Sequence, residues 1–250
     1  MRIALISDLH ANELALDAVL ADAKRAGYDK LVCLGDVATL GPRPDAVLLR
    51  LRDLGCACIL GNHDEFMFDA PLVRTYSESP LVVASVDATR EALSEEAIAF
   101  VRTFERTLAL DAHGLPAARG DTEMAAFLYH ATPRSNMEDL LATTPDDRVD
   151  AMLDGARAKV LAGGHTHLQM LRRHHGMAIV NCGSVGMPFR EYASGGPPAI
   201  LPHADYAIVD IDVRAVSVEL RRVALDRHAL ASQLDGWDNP LGASLHRAYA

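Results

Sequence analysis

The strongest constraint on this chain is a pattern that recurs along it: a short apolar run that stops at once in glycine, aspartate, asparagine or histidine. Ala57-Cys58-Ile59-Leu60 runs into Gly61-Asn62-His63-Asp64. Met1 to Ser7 ends in Asp8-Leu9-His10, and Leu31 to Leu34 ends in Gly35-Asp36. Ala125 to Tyr129 ends in His130, and Lys159 to Ala162 ends in Gly163-Gly164-His165-Thr166-His167. Each apolar run reads as a buried strand. In open α/β sheets the carboxyl ends of the strands are where ligands bind. Endings this rich in Asp, Asn and His predict one shared site.

The segments between the runs say how the strands connect. Leu16, Val19, Leu20 and Ala23 fall at helical spacing within a helix from about Glu13 to Ala26, closed by Gly27. Val47, Leu48, Leu51 and Leu54 line a second helix that ends near Gly55. This β-α-β-α-β rhythm predicts a parallel sheet with right-handed crossovers. It breaks after Asp64. Residues 65–122 read as a helical cap-like insertion, with helical patterns at Val82–Ala92 and Glu95–Arg106 and a hairpin leading back to the strand before His130. Ser135 with Glu138 resembles a capping box for a short helix, and Thr144-Pro145-Asp146-Asp147 a helix start.

After His167 the pattern turns to hairpins: Gln169–Arg172 with Met177–Val180 around the turn His174-His175-Gly176, and Tyr206–Asp212 with Val216–Val223. A helix at Arg227–Leu234 and a loose tail follow. Parallel units first and antiparallel units later predict two facing β-sheets flanked by helices, in one domain over 1–250. Met124 and Ile98–Val101 read as packing residues. His174 and His175 read as a solvated turn, and His113, His203, His228 and His246 as surface residues.

Composition limits the function classes. Half of the 250 residues are hydrophobic and 23% are charged, as in an ordinary globular protein. No apolar run approaches the roughly 18 residues of a membrane span, and the N-terminus runs directly into a strand, so a cytoplasmic protein is expected. The four cysteines lack Cys-x-x-Cys spacing and read as reduced, partly buried thiols. A net charge of −10 without a Lys/Arg block argues against a broad nucleic-acid groove. An anionic substrate would need local positive charge, such as metal ions.

Taken singly, each ending has a bland reading as a solvated loop or a satisfied buried histidine. Asp8-x-His10 can turn both side chains to one ion, and in His165-x-His167 the preceding glycines allow close backbone approach. Taken together and in order, Asp8-x-His10, Gly35-Asp36, Gly61-Asn62-His63-Asp64, His130 and Gly164-His165-x-His167 resemble the motif set of the calcineurin-like metallophosphoesterases over roughly residues 1–190. Ser7-Asp8-Leu9-His10-Ala11-Asn12, Gly41-Pro42-Arg43-Pro44 and Asn181-Cys182-Gly183-Ser184-Val185-Gly186 are similar to the small prokaryotic phosphodiesterases related to diadenosine tetraphosphatase. Cys182 stands where that pattern has proline, and Ala131-Thr132 where Gly-Ser or Gly-Thr is frequent.

The resemblance implies a four-layer αββα sandwich, an α/β fold. It implies Asp8, His10 and His167 as ligands of one metal, Asn62, His130 and His165 as ligands of a second, and Asp36 as the bridge. Mixed nitrogen and oxygen donors suit Mn, Fe or Zn and are too nitrogen-rich for Mg or Ca. Two divalent transition-metal ions would clamp an in-line displacement at phosphorus by a bridging hydroxide. His63 would be the catalytic residue that protonates the leaving oxygen, and Asp64 a supporting residue. Asn12, Arg134, Ser184 and Arg190 are candidates for substrate contact. The expected activity is a phosphodiesterase on small phosphodiesters or nucleotides, with no membrane partner and a homodimer compatible. Alternatives are a serine/threonine protein phosphatase, which needs an open groove, and a non-catalytic scaffold like the retromer subunit that resembles this family. The latter lacks the catalytic histidine that His63 supplies here.

Overall fold

A computed structural model describes residues 1–121, 124–193, 196–212 and 214–249. The last residue of the expected insertion, 122, lies outside them. Strand β1 (Arg2–Ile6) leads into α1 (Glu13–Ala26), β2 (Lys30–Cys33), α2 (Pro44–Asp53) and β3 (Ala57–Cys58). A short turn of helix α3 (Asn62–Glu65) precedes α4 (Leu72–Tyr76), α5 (Pro80–Ala92), α6 (Glu95–Val101) and β4 (Thr107–Leu110). Then follow β5 (Ala126–Tyr129), α7 (Asp146–Leu153), β6 (Val160–Gly163), β7 (Met170–His174), β8 (Met177–Asn181), β9 (His203–Ile211), β10 (Val216–Ala224), α8 (Arg227–Ser232) and α9 (Gly242–Tyr249).

The strands form two five-stranded sheets, ordered β10-β9-β1-β2-β3 and β4-β5-β6-β8-β7. In the first, β1, β2 and β3 run parallel at one side, β9 joins β1 antiparallel and β10 joins β9 antiparallel; in the second, the three central strands β5, β6 and β8 run parallel and the edge strands β4 and β7 pair antiparallel. Strand alternation sorts side chains into three apolar layers. Ile3, Leu5, Val32 and Leu34 of the first sheet meet Ala126, Leu128, Val160 and Ala162 of the second between the sheets. Ala4, Ile6 and Cys33 face outward to α1, α2, the insertion helices, α8 and α9. Phe127, Tyr129, Leu161 and Ile179 face outward to α7. The result is the expected sandwich of two mixed sheets between helices. Its two parallel cores bring the carboxyl ends of β1, β2, β5 and β6 to one edge.

Local differences from the sequence reading have physical causes. The helix expected to Arg106 stops at Val101, because Glu105 pairs with the end of β3: its N–H donates to Cys58 O and its carbonyl accepts from Leu60 N. Ser135 and Glu138 cap no helix. Glu138 instead accepts from the Thr132 hydroxyl and from the Arg134 guanidinium, holding 131–141 as a loop. Thr144 Oγ1 accepts from Leu141 N and leaves the start of α7 without a side-chain cap. The tail is a helix, α9, with Leu245 and Tyr249 buried one turn apart in the layer that holds α8. His203 is buried at the start of β9, 3.4 Å from Asp205 Oδ1, and His174 is buried beside α7; neither is a surface residue. His113, His228 and His246 are exposed as expected.

Candidate metal centre

The loops that leave β1, β2 and β6 are bent in a way side chains rarely adopt. Among the described residues nine non-glycine residues have positive φ, and six of them are Asp8, His10, Ala11, Asp36, His165 and His167. Such backbone costs on the order of 1–3 kcal/mol per residue and persists where the surroundings over-determine it. It folds each loop back on the sheet edge so that successive polar side chains turn inward. Close approach sets the glycines. A Cβ on Gly61 would lie 2.1 Å from Asp36 Oδ1, and one on Gly164 would lie 2.5 Å from Asp8 Oδ2.

Asp8, His10 and His167 form one buried cluster with donor atoms within 4.8 Å of one another. His10 Nδ1 lies 3.2 Å from Thr39 O, and His167 Nδ1 lies 2.6 Å from Met187 O. Each Nδ1 must carry the proton to donate to a carbonyl. The two Nε2 atoms, 3.1 Å apart, therefore present lone pairs to each other when the rings are neutral. Asp8 Oδ1 points at the same place. It is buried, makes no hydrogen bond and lies 3.4 Å from His167 Nε2. Three inward-facing lone pairs repel unless a cation lies among them.

Asp36, His130 and His165 form the second buried cluster. His130 Nδ1 is held by Leu34 O at 2.7 Å, so Nε2 faces inward, 3.4 Å from Asp36 Oδ2 and 3.3 Å from His165 Nδ1. Asn62 Oδ1 lies 3.1 Å from both imidazole nitrogens. That orientation sets an acceptor among acceptors, as a metal ligand at this position would need. With the amide turned over, its nitrogen would donate to Asn136 O, His165, His130 and Asp36 at 3.1–3.3 Å, as a site without metal would favour. Asp36 also acts electrostatically on His10 of the first cluster. Burial alone would raise the carboxyls of Asp8 and Asp36, but the neighbouring histidines hold both low, so they are anions. Both clusters thus fit divalent cations by their donor chemistry.

His63 lies within α3, next to Asn62 of the second cluster. Its ring is 5.3 Å from that of His10, and Nδ1 lies 2.7 Å from the Thr39 hydroxyl. Burial, outweighing the nearby Asp36 charge, pushes its pKa down to about 4. Asp64 does not enter the clusters. Its carboxylate accepts N–H bonds from Asp36, Val37 and Gly61 at 2.8, 2.9 and 3.0 Å, tying the Asp36 loop to the Asn62 loop. Burial and the Asp36 charge push its carboxyl up to about 7, against the pull of those three donors.

The remaining expected site residues are not members of the two clusters. Asn12 caps α1 by accepting from Ala15 N and donates to Gly186 O. Ser184 donates to Asp8 O and accepts from Met187 N. Both brace the Asp8 loop with the polar atoms a substrate would need. Arg134 is clamped by Glu138. Arg190 is exposed and, among the described residues, makes no ion pair.

Three residues near the centre carry no sequence signal. Thr39 serves His10 with its carbonyl and His63 with its hydroxyl. Asp139 Oδ1 lies 3.4 Å from His165 Nε2, and its Oδ2 accepts from the Tyr192 hydroxyl at 2.6 Å. Tyr76, at the end of α4, reaches the centre from the insertion, its ring 5.9 Å from His63 and 6.0 Å from His165. Only the attachment of the insertion directly after His63 pointed toward Tyr76.

The fold and the site have relatives. The chain superposes on a metallophosphoesterase from Sphaerobacter thermophilus with a TM-score of 0.72 and 24% identity, covering 100% of this chain and 98% of that one. It superposes on a hypothetical protein from Pyrococcus horikoshii OT3 with a TM-score of 0.76 and 18% identity, covering 99% and 97%. At these identities both likenesses establish the fold. An uncharacterized protein of Methanocaldococcus jannaschii is 48% identical over 62 residues, so the match spans about a quarter of each chain, 25% here and 26% there. The model of the calcineurin-like phosphoesterase superfamily domain matches residues 1–212. That match takes in every cluster described above, and the chain belongs to the calcineurin-like phosphoesterase superfamily.

Proposed function

We propose that the protein is a dinuclear metal-dependent phosphohydrolase that cleaves small phosphodiesters or nucleotides. The observation that carries this reading is the pair of adjoining clusters of buried, inward-facing nitrogen and oxygen donor atoms with His63 beside them. Asp8, His10 and His167 would hold one divalent ion, Asn62, His130 and His165 the other, and Asp36 would bridge them; Mn, Fe and Zn fit this donor set. Two such ions, when bound, supply charge for the phosphoryl oxygens and a water acidic enough to attack phosphorus near neutral pH.

The chain's own residues do the rest. Asp64 keeps the Asp36 and Asn62 loops in register. His63, oriented by Thr39, delivers a proton to the leaving oxygen, as its position beside both clusters supports. A neutral imidazole of low pKa is poorly charged at pH 7, so His63 acts once the substrate's negative charge raises its proton affinity. Arg190, which pairs with no carboxylate among the described residues, is the arginine we assign to the substrate; Arg134 is engaged by Glu138. Tyr76 over His63 and His165 supports the insertion as a wall of the site, favouring nucleotide-sized esters over folded phosphoprotein.

The test is metal analysis followed by a hydrolysis panel of model monoesters and diesters, cyclic nucleotides and dinucleoside polyphosphates. Wild type should approach two ions per chain after reconstitution with Mn. His63→Ala should keep them and lose roughly 10²–10⁴-fold in kcat, less with nitrophenolate leaving groups that need little protonation. Zero or one ion, or activity on phosphoprotein equal to that on nucleotides, defeats the reading.

A further inference from the structure

A third group of metal-binding side chains lies at the other end of the second sheet. Strands β7 and β8 are joined by the two residues His175 and Gly176, with His174 paired to Met177. Both loop residues have positive φ, 47° and 83°, the backbone of a tight primed turn. Asparagine is the usual first residue of such a turn, because it tolerates that conformation; here the position is a histidine. The turn lays the His175 ring beside that of His174, with centroids 4.2 Å apart.

Both rings aim the same atom at one carboxylate oxygen. His174 Nε2 is 2.8 Å and His175 Nε2 is 3.1 Å from Asp150 Oδ1. The three donors lie within 4.8 Å of one another. Asp150 comes from α7, and Asp146, one helical turn earlier, addresses the opposite nitrogen of His174: its Oδ1 is 3.5 Å from Nδ1. Asp146 is in turn paired with Arg172 of β7. His174 is buried, whereas Asp150 and His175 are open to solvent.

We propose that Asp150, His174 and His175 form a separate binding site for a single zinc-class divalent ion. Two imidazoles and one carboxylate with an open side are the donor number and type of a three-ligand zinc site whose remaining position takes water. The nitrogen–oxygen separations of 2.8 and 3.1 Å are slightly shorter than the roughly 3.3–3.6 Å between donors 2.0–2.2 Å from a tetrahedral ion, so the ion would enter with a small outward shift of Asp150. Asp146, 3.5 Å behind His174 Nδ1 and itself paired with Arg172, stands where an outer carboxylate commonly backs a ligating histidine. The ion would tie the β7–β8 hairpin to α7. The site is distinct from the candidate phosphoesterase centre. The four residue steps of β8 from Met177 to Asn181, whose side chain bonds Gly164 O beside His165, separate the two by about 13 Å.

The bland account of the same geometry is a His174 ring held between two carboxylates with no ion, and the experiment separates the two. Zinc alone is titrated by equilibrium dialysis into wild type, His175→Asn and Asp150→Asn, the first variant being the residue the turn favours. Wild type should bind one equivalent more than either variant, whatever number the phosphoesterase centre takes. Cobalt in place of zinc should give a visible d–d absorption component that both variants lack. Hydrolysis by the Mn-reconstituted variants should match wild type, because neither residue belongs to the proposed active site. Equal stoichiometry in wild type and a folded His175→Asn overturns the proposal, as does an extra equivalent that survives both substitutions.

Discussion

Each half of the candidate centre joins two imidazoles to one side-chain oxygen, a carboxylate in one and an amide in the other, and the two are held by different means. In the Asp8–His10–His167 half, both imidazoles are fixed by main-chain carbonyls, Thr39 O and Met187 O. In the Asn62–His130–His165 half, His130 is fixed by Leu34 O, but His165 leans on the Asp139 side chain at 3.4 Å. A carbonyl cannot be removed by side-chain substitution, so the first half is protected by the fold itself. The second half has one replaceable support, and that support rests in turn on Tyr192. The two ions should therefore differ in how readily mutation loosens them.

The substitution that should erase the difference is Asp36→Asn. It removes a charge from the proposed bridge, so both ions should weaken beyond the roughly 10–100-fold typical of losing an outer partner. Mn per chain after reconstitution and dialysis, measured by elemental analysis, should fall well below the two equivalents of wild type, and hydrolysis with it. Loss of one ion alone would show that Asp36 serves a single half. The substitution that should expose the difference is Asp139→Asn. It should weaken only the second ion, by about 10–100-fold, leaving one tightly held equivalent. If both ions loosen together, the halves are not independently supported.

How far the sequence discloses this centre follows the same division. The candidate ligands were legible because each closes an apolar run, and strand alternation with loop polarity places such residues at a sheet edge. The β-α-β rhythm likewise discloses the parallel core around β1, β2 and β3. Asp139 was not legible: it lies in the loop 131–141, where neither helical nor strand period marks which residue points inward. Thr39 was missed because half of its contribution is a carbonyl, which every residue has. His174 was misread because turn residues are usually solvated, and only the packing of α7 on the hairpin buries it. The helix α9 was missed although Leu245 and Tyr249 stand one turn apart, because Asp238, Asn239, Pro240 and Gly242 before them read as loop.

Thr39→Val sharpens the contrast at one position. Valine keeps the shape and the carbonyl that orients His10, and deletes only the hydroxyl 2.7 Å from His63. Metal content should be unchanged in both halves. A hydrogen bond of ordinary worth, about 0.5–1.5 kcal/mol, corresponds to a fall in kcat of about 2–10-fold. The fall should be steeper for poor leaving groups, if Thr39 acts through the proton that His63 delivers. A loss of metal would mean that the hydroxyl, rather than the carbonyl, holds the first half.

The smallest expected effect lies furthest out, at Tyr192→Phe. The phenol donates to Asp139 Oδ2 at 2.6 Å, and burial of Asp139, which alone would raise its carboxyl, is outweighed by the hydrogen bonds to His165 and Tyr192. A hydrogen bond to a charged group is worth roughly 1.5–3 kcal/mol when removed from a buried site. Tyr192 is 38% exposed, so water replaces much of what the hydroxyl gives. Asp139 keeps its charge and its place beside His165, with one restraint fewer. The second ion should therefore weaken only a few-fold, well inside the effect of Asp139→Asn, while the first is untouched. Competition with a chelator, followed ion by ion, measures both. In the double variant the Tyr192 effect should vanish, because Tyr192 acts through Asp139. If it persists at full size, the phenol supports the centre by another route, and the chain from Tyr192 through Asp139 to His165 is broken.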